Sequence, residues 1–480
     1  MTSGPNLVVF RRDLRVSDNA ALHAAVAEEG PVLPVYVLDD RPERPWRPGR
    51  ASRWWLHHSL DALSDSLKER GASLLLRHGP WAETVADLAI ETGAKAVLWS
   101  RLYEPATEAE DAELTGRLQA AGIRARRFSG YLLHEPETVR TRSGTYFQVF
   151  TPFWRAANEA LHLTRPLPAP ERIQALAAAP PGLALEDLRL HPGRSDWSDG
   201  LAESWQPGEA AAQEQLQDFL ADGVDRYHVT RDRPELPGTS RLSPYLHFGE
   251  ISPRQIWHAV RGRRQSGAGP EAFLRELGWR EFSHHLLMAF PDLPDRPLRR
   301  EFAAFPWAED EEAYRAWTGG RTGFPIVDAG MRQLRQTGWM HNRVRMIVAS
   351  FLVKDLLLPW SKGEAWFWDS LVDADLANNA ASWQWVAGCG ADAAPYFRVF
   401  NPVLQGEKFD PRGRYVRQWL PELAKLPDLH IHRPWNAPSM ILAEAGVALG
   451  RTYPRPIVDH GAARRRALNA YEEIRSRGAA

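Results

Sequence analysis

The first 130 residues alternate between short apolar runs and helical patterns, and this alternation limits the fold more than any other feature of the chain. "NLVVF" (6–10) and "PVLPVYVLDD" (31–40) read as buried strands, with "NAALHAAVAE" between them as a helix. "LLLRHG" and "AVLWS" continue the strands, and residues 52–70, 81–92 and 106–121 carry helical patterns. Such alternation predicts a parallel sheet with helices on both faces. This Rossmann-like α/β domain is expected to occupy residues 1–135. It contains no G-x-G-x-x-G and no P-loop, so the usual phosphate cradles are absent.

From Pro166 to Gly208 the chain is rich in proline and glycine ("RPLPAP", "AAAPPG", "HPGRSDWSDG"), and residues 136–208 are expected to act as a connector. Beyond it strand patterns nearly vanish. Residues 209–222, 253–265, 270–288, 325–337, 340–358 and 464–477 read as helices, which predicts a larger all-α domain over 209–480. The single cysteine, Cys389, cannot form an internal disulfide, which fits a reducing compartment. The N-terminus has too short an apolar run for a secretory signal, and the longest later one, 346–360, is broken by Lys354 and Asp355. A cytoplasmic protein with no membrane span is expected. Lys plus Arg total 59 against 60 acidic residues, so a nucleic-acid partner would need a local basic surface.

Twenty tryptophans are the compositional outlier. In "DADLANNAASWQW" (373–385) a helix would set Trp383 and Trp385 about 200° apart, facing different surroundings. Asn379 would share the face of Trp383. Two core layers would satisfy the same pattern. In "GWMHNRVRMIVASF", Asn342 and Met346 share a face, while Arg343 and Arg345 diverge. A buried arginine there needs a carboxylate or phosphate, and Asp373 and Asp375 are candidates. In "FLRELGWREF", Glu276 lies beside Trp279 and Arg280, a set suited to a flat heterocycle or to a plain salt bridge and core indole. "GTSRLSP" offers Thr239, Ser240, Arg241 and Ser243 as an anion site or as ordinary caps. No histidine pair has H-E-x-x-H spacing and no G-x-S-x-G occurs, so hydrolytic metal and serine-nucleophile chemistry are disfavoured.

Taken together, "FRRDLRVSDNAAL", "GTSRLSPYLHFGEISPRQ", "WREF", "TGFPIVDAGMRQLRQTGWMHNRVRM", "ASFLVKDLL", "DADLANNAASWQW" and "AAPYFRVFNPVLQGEKFDP" resemble the photolyase/cryptochrome family. The likeness runs from residue 6 to about 470 and is nearest the bacterial class I enzymes for cyclobutane pyrimidine dimers. The resemblance implies FAD in the helical domain. Tyr227, Thr239, Ser240, Arg241, Leu242 and Ser243 would hold its pyrophosphate side. Asp373, paired with Arg345, and Asp375 would lie by the flavin, and Asn379 would face it. Trp383, Trp360 and Trp307 would carry electrons from the surface, and the reduced flavin would donate one to the dimer and split it. Trp385, Trp279, Glu276, Asn342 and Met346 would line the lesion cavity, and Arg231, Arg280 and Arg343 would contact phosphates of UV-damaged DNA. A monomer is expected. An antenna chromophore, methenyltetrahydrofolate or 8-hydroxy-5-deazaflavin, would sit near residues 44–60 and Glu104, where Trp54 and Trp55 line the pocket, fill it or belong to the core. Rival expectations are a blue-light photoreceptor and a (6-4) photolyase. The latter typically carries a His pair where this chain has His341 and Asn342.

Overall fold

The computed structural model describes residues 4–191, 196–263, 267–393 and 398–478. The α/β part runs β1 (Asn6–Phe10), α1 (Ala20–Ala27), β2 (Val32–Leu38), α2 (Arg50–Glu69), β3 (Leu75–His78), α3 (Trp81–Glu91), β4 (Ala96–Ser100), α4 (Pro105–Ala120) and β5 (Arg124–Phe128). Its strands pair in the order β3-β2-β1-β4-β5, all parallel. β1, β2 and β4 are buried throughout, as expected of strands covered on both faces. The fifth strand, "RARRF", went unrecognised in the sequence. It is an edge strand, and Arg124 and Arg126 tie it to Glu28 instead of burying apolar side chains.

Among its described residues, the stretch expected to be a connector holds two α-helices, α5 (Phe150–Glu159) and α6 (Asp196–Ser204). Phe150, Phe153 and Ala157 of α5 enter the core of the helical part, so α5 is built into that domain. Residues 192–195 of the "HPGRSDWSDG" segment lie outside the described residues.

The helical part continues with α7 (Glu209–Asp218), α8 (Tyr227–Thr230), α9 (Ser243–Phe248), α10 (Pro253–Arg261), α11 (Ala268–Ala289), α12 (Glu311–Thr318), α13 (Pro325–Thr337), α14 (Asn342–Ser350), α15 (Trp360–Ser370), α16 (Leu376–Ala387), α17 (Pro402–Phe409), α18 (Arg414–Trp419), α19 (Ser439–Glu444) and α20 (His460–Gly478). Two expected helices end early in π-turns: 209–222 after Asp218, and 340–358 after Ser350. The second turn, Phe351–Asp355, redirects the chain before Pro359 and so sets where α15 begins. Among the described residues, no helix is long and apolar enough to cross a membrane.

The two parts lock together through the loop after β1. Leu14 N–H donates to Phe248 O at 3.2 Å, and Arg15 Nη1 donates to Gly249 O at 2.8 Å. Gly249 has φ 67°, and a Cβ there would sit 1.9 Å from Arg12 O, so only glycine fits. Asp18, 1% exposed, accepts from Arg254, from Ser252 Oγ at 2.5 Å and from Leu167 N–H at 2.9 Å. "RRDLRVSDN" and "LHFGEISPR" are thus the two halves of one contact.

Candidate cofactor and substrate site

The centre of the helical part is α16. Asp375 caps its N-terminus, accepting from Asn378 N–H at 2.9 Å, and Gly388 (φ 87°) closes its C-terminus. Trp383 is 2% exposed and packs edge-on to Phe367 (5.0 Å) and Trp317 (6.3 Å). Gly363 on α15 makes room for it: a Cβ there would lie 2.1 Å from the indole. Trp385 points elsewhere. It is half-buried, and its Nε1–H donates to Asp392 O at 3.2 Å. The divergent faces expected from the spacing are both present. Trp360, buried, starts α15, and Ala308 N–H donates to Leu357 O at 2.8 Å, which holds the half-buried Trp307 segment near that start. Trp317, which touches Trp383, was not among the expected indoles.

On the Trp383 side, Asn379 is 8% exposed and its Nδ2 donates to the carbonyl of Glu364 at 3.0 Å. Neither carboxyl oxygen of Glu364 has a partner, and burial, with the charge of Asp295 behind it, pushes that acid up to about 9. Arg345 donates to Asp373 Oδ2 at 2.8 Å and to Met340 O at 2.7 Å, while Asp373 Oδ1 is buried without a partner. Asp375 is fully engaged: it caps α16 through one oxygen and takes Tyr131 O–H at 3.1 Å on the other. Although burial opposes it, His284 and His247 hold this carboxyl well below its usual range.

Thr239, Ser240 and Ser243 flank Arg241, whose φ of 52° is unusual for a non-glycine residue. Its guanidinium lies over Trp205 (4.1 Å) and Trp339 (5.4 Å), and its Nε is buried and unpaired. Burial lowers its pKa, and no described carboxylate pairs with it. A half-buried guanidinium with no carboxylate partner, held over two indoles, fits a ligand anion. Leu242, next in the chain, is buried, and so is Tyr227, against Phe219 and Phe273. Orphaned polar atoms on Arg241, Asp373, Glu364 and His341, set among indoles, fit a large cofactor with an anionic middle and a polar heterocycle.

On the Trp385 side, Arg231 bonds Glu276, and Arg343 donates to Asp232 Oδ1 at 2.9 Å. Burial raises Glu276 despite that arginine. Arg343 also meets Met346 Sδ at 3.6 Å, and Asn342 is exposed at the start of α14. Trp279 is half-buried and lies flat on Phe150, with centroids 3.7 Å apart and planes at 6°. Arg280 departs from expectation. It is 8% exposed, donates to Tyr131 O at 2.9 Å and stacks over that ring at 4.4 Å. Arg280 shares a face of α11 with Glu276, so helix position does not divert it; Tyr131 of the α/β part, through its carbonyl and its ring, draws the guanidinium into the domain contact. Arg280 joins domains and is not available to DNA.

A cavity lies at the carboxyl ends of β1 and β2 and reaches Leu102 and Thr107 after β4, so it opens onto the point between β1 and β4 where the sheet order reverses, the usual crevice of such sheets. Arg12, Arg44, Trp46, Trp81, His247 and Trp368 line it. Trp54 and Trp55, 2% and 0% exposed, belong to the core. Glu104 is taken by Arg12, at 2.6 and 3.0 Å.

Residues 6–171 match the family described as DNA photolyase, and residues 273–473 match the FAD binding domain of DNA photolyase. A deoxyribodipyrimidine photo-lyase of Agrobacterium fabrum is 50% identical over 99% of both chains. Cryptochrome-2 of Arabidopsis thaliana is 41% identical over 98% of this chain and 79% of its own. The crystal structure of a bacterial class III photolyase from Agrobacterium tumefaciens superposes with a TM-score of 0.96 at 50% identity, over 99% of this chain and 98% of that one. An archaeal photolyase from Sulfolobus tokodaii with two FAD molecules reaches 0.82 at 30% identity, over 98% of this chain and 100% of that one. The chain belongs to the DNA photolyase family, an FAD-binding enzyme family. The motifs suggested the class I subgroup, whereas this 50%-identical structure is of a class III photolyase.

Proposed function

We propose that the chain is a light-driven DNA repair enzyme that splits cyclobutane pyrimidine dimers. The reading rests above all on α16, which puts a buried indole, Trp383, on one side and a half-buried indole, Trp385, on the other. Bound FAD, in its reduced form, supplies the excited electron for the dimer. Arg241, Thr239, Ser240 and Ser243 hold the pyrophosphate, with Tyr227 and Leu242 packed beside them, and Arg345, Asp373 and Asn379 set the flavin edge. Asp375 fixes the start of α16 and the neighbouring α/β part. Trp383, Trp360 and Trp307 form a route for electrons from the surface. Trp385 and Trp279 receive the flipped dinucleotide, which a damaged, weakly paired site releases cheaply. Glu276 hydrogen-bonds the pyrimidine edges, Asn342 and Met346 complete the wall, and Arg231 and Arg343 meet the flanking phosphates. The crevice at the carboxyl ends of β1 and β2, walled by Trp46, Trp81 and Trp368, suits an antenna chromophore. Residues 1–135 form the antenna domain, and the protein works as a cytoplasmic monomer.

A photoreceptor role is the main competitor, because cryptochromes stand among the relatives. The neutral amide of Asn379 favours repair. The test is reduced protein with a duplex carrying one thymine cyclobutane dimer, under blue light and in the dark, with a (6-4) lesion in parallel. Recovery of thymine absorbance only from the dimer, and only in light, is expected. No recovery from flavin-containing protein would transfer the assignment to a photoreceptor. Trp383→Phe is expected to lose flavin photoreduction while keeping DNA affinity, and unchanged photoreduction would remove the tryptophan route.

A further inference from the structure

Asp392 adopts φ 50°, in the left-handed region that residues other than glycine avoid. It follows the turn that closes α16, where Gly388 serves the same backbone region at no steric cost. Aspartate visits this region more readily than most residues, so a side chain is kept here at a modest backbone cost. It is half-buried, and its two polar ends serve two aromatic walls. The backbone carbonyl accepts Trp385 Nε1–H at 3.2 Å. Oδ2 accepts the N–H of Phe150, the first residue of α5, at 3.3 Å. Phe150 in turn lies flat on Trp279 at 3.7 Å. Burial pushes the Asp392 carboxyl up, and the Phe150 N–H works against that shift. Trp385 on α16 and Trp279 on α11 are thus linked through two residues: Asp392, bonded to Trp385 and to Phe150, and Phe150, stacked on Trp279.

We propose that Asp392 is a positioning residue that sets the spacing between the Trp385 and Trp279 walls, and through it the preference for dimer-containing over undamaged DNA. This rests on the cavity assignment above. A flipped dinucleotide gains from stacking only if both ring faces are already in place, because ordering them at the moment of binding costs affinity. Without the carboxylate, the start of α5 is released and the Phe150 ring no longer fixes the plane of Trp279. Undamaged duplex, held through its phosphates, does not use these rings.

The test is fluorescence anisotropy in the dark, with flavin-containing protein and two duplexes that differ only in one thymine cyclobutane dimer. Asp392→Gly removes the carboxylate and relieves the backbone, while Asp392→Asn keeps an acceptor and tolerates the same φ. Asp392→Gly is expected to bind the dimer duplex about tenfold more weakly, the worth of one hydrogen bond to a charged group. Its affinity for the undamaged duplex and its melting temperature should not fall, and Asp392→Asn should restore dimer binding. Phe150→Leu, which keeps the backbone N–H but removes the stacked ring, should reproduce the selective loss if the glycine variant does not fold. Equal losses on both duplexes, no loss on either, or a failure of asparagine to rescue would overturn the inference. Trp385→Ala tests the cavity separately. Unchanged dimer affinity there removes the clamp and this role with it, whereas a loss in Trp385→Ala with none in Asp392→Gly overturns only the role of Asp392.

Discussion

The domain contact and the cofactor side of α16 both bury carboxylates, but they treat them differently. At the contact, both oxygens of Asp18 are bonded, and so are both of the half-buried Glu209, which takes Val16 and Ser17 N–H. Around α16, Glu364 has no partner on either oxygen and Asp373 lacks one on Oδ1. Leaving such groups unmade costs about 1–3 kcal/mol each, so a fold does not accumulate them in one place without return. The carboxylates of the first region are satisfied as folded. The second is completed by a ligand. A stability change should dominate in one and a binding change in the other.

Asp18→Ala should produce the largest effect. It strips the partner from Arg254 and leaves Ser252 Oγ and Leu167 N–H without their acceptor. Breaking such a buried pair costs about 3–5 kcal/mol. A urea unfolding midpoint equal to that of the unaltered protein would contradict the contrast. Arg241→Met inverts the logic. It should cut flavin affinity about a hundredfold, read from 450 nm absorbance after dialysis, without lowering stability once flavin is absent, because it removes a half-buried cation with a buried, unpaired Nε and no carboxylate partner.

Glu364 sharpens the comparison through pH. Its folded pKa lies near 9, against 4.5 ordinarily. Between those values the folded state holds a proton that the unfolded state has lost, so rising pH costs stability across that window. Glu364→Gln removes this cost. Its stability advantage should be absent below about pH 4.5, grow with pH, and level off above about 9. A constant difference from about pH 5 to about pH 9 would mean that the acid is ionised in the fold.

Sequence pattern located what depends on local periodicity. "NLVVF" is β1, residues 325–337 are α13, and the opposed faces of Trp383 and Trp385 follow from two-residue spacing on a helix. The Arg345–Asp373 pair was also within reach, because a half-buried arginine demands an anion nearby. What escaped depends on distant partners. "RARRF" is a strand only because β4 is beside it, and its charges hide the alternation. Arg280 seemed to share the cavity with Glu276 and Trp279. Its neighbour is Tyr131, 149 residues away, and no helical pattern names it. Asp392 and Phe150 meet across 242 residues for the same reason.

The smallest effect tests whether the Trp385 side is also waiting for a ligand, in a weaker sense. Its cations are provisionally paired: Arg343 with Asp232, at 2.9 Å, in a pair whose side chains are 20% and 37% exposed. An ion pair so open to water is worth little, about 0–1 kcal/mol, so a phosphate can displace it. Asp232 then competes with DNA and holds down affinity for undamaged duplex. Asp232→Asn should raise that affinity a few-fold and steepen the salt dependence, by at most about 0.9 in the slope of log K against log salt, the share of one phosphate contact. Melting temperature should barely move, in contrast to Asp18→Ala. If the slope is unchanged while affinity rises, Arg343 reaches no phosphate, and the basic contacts of this cavity reduce to Arg231.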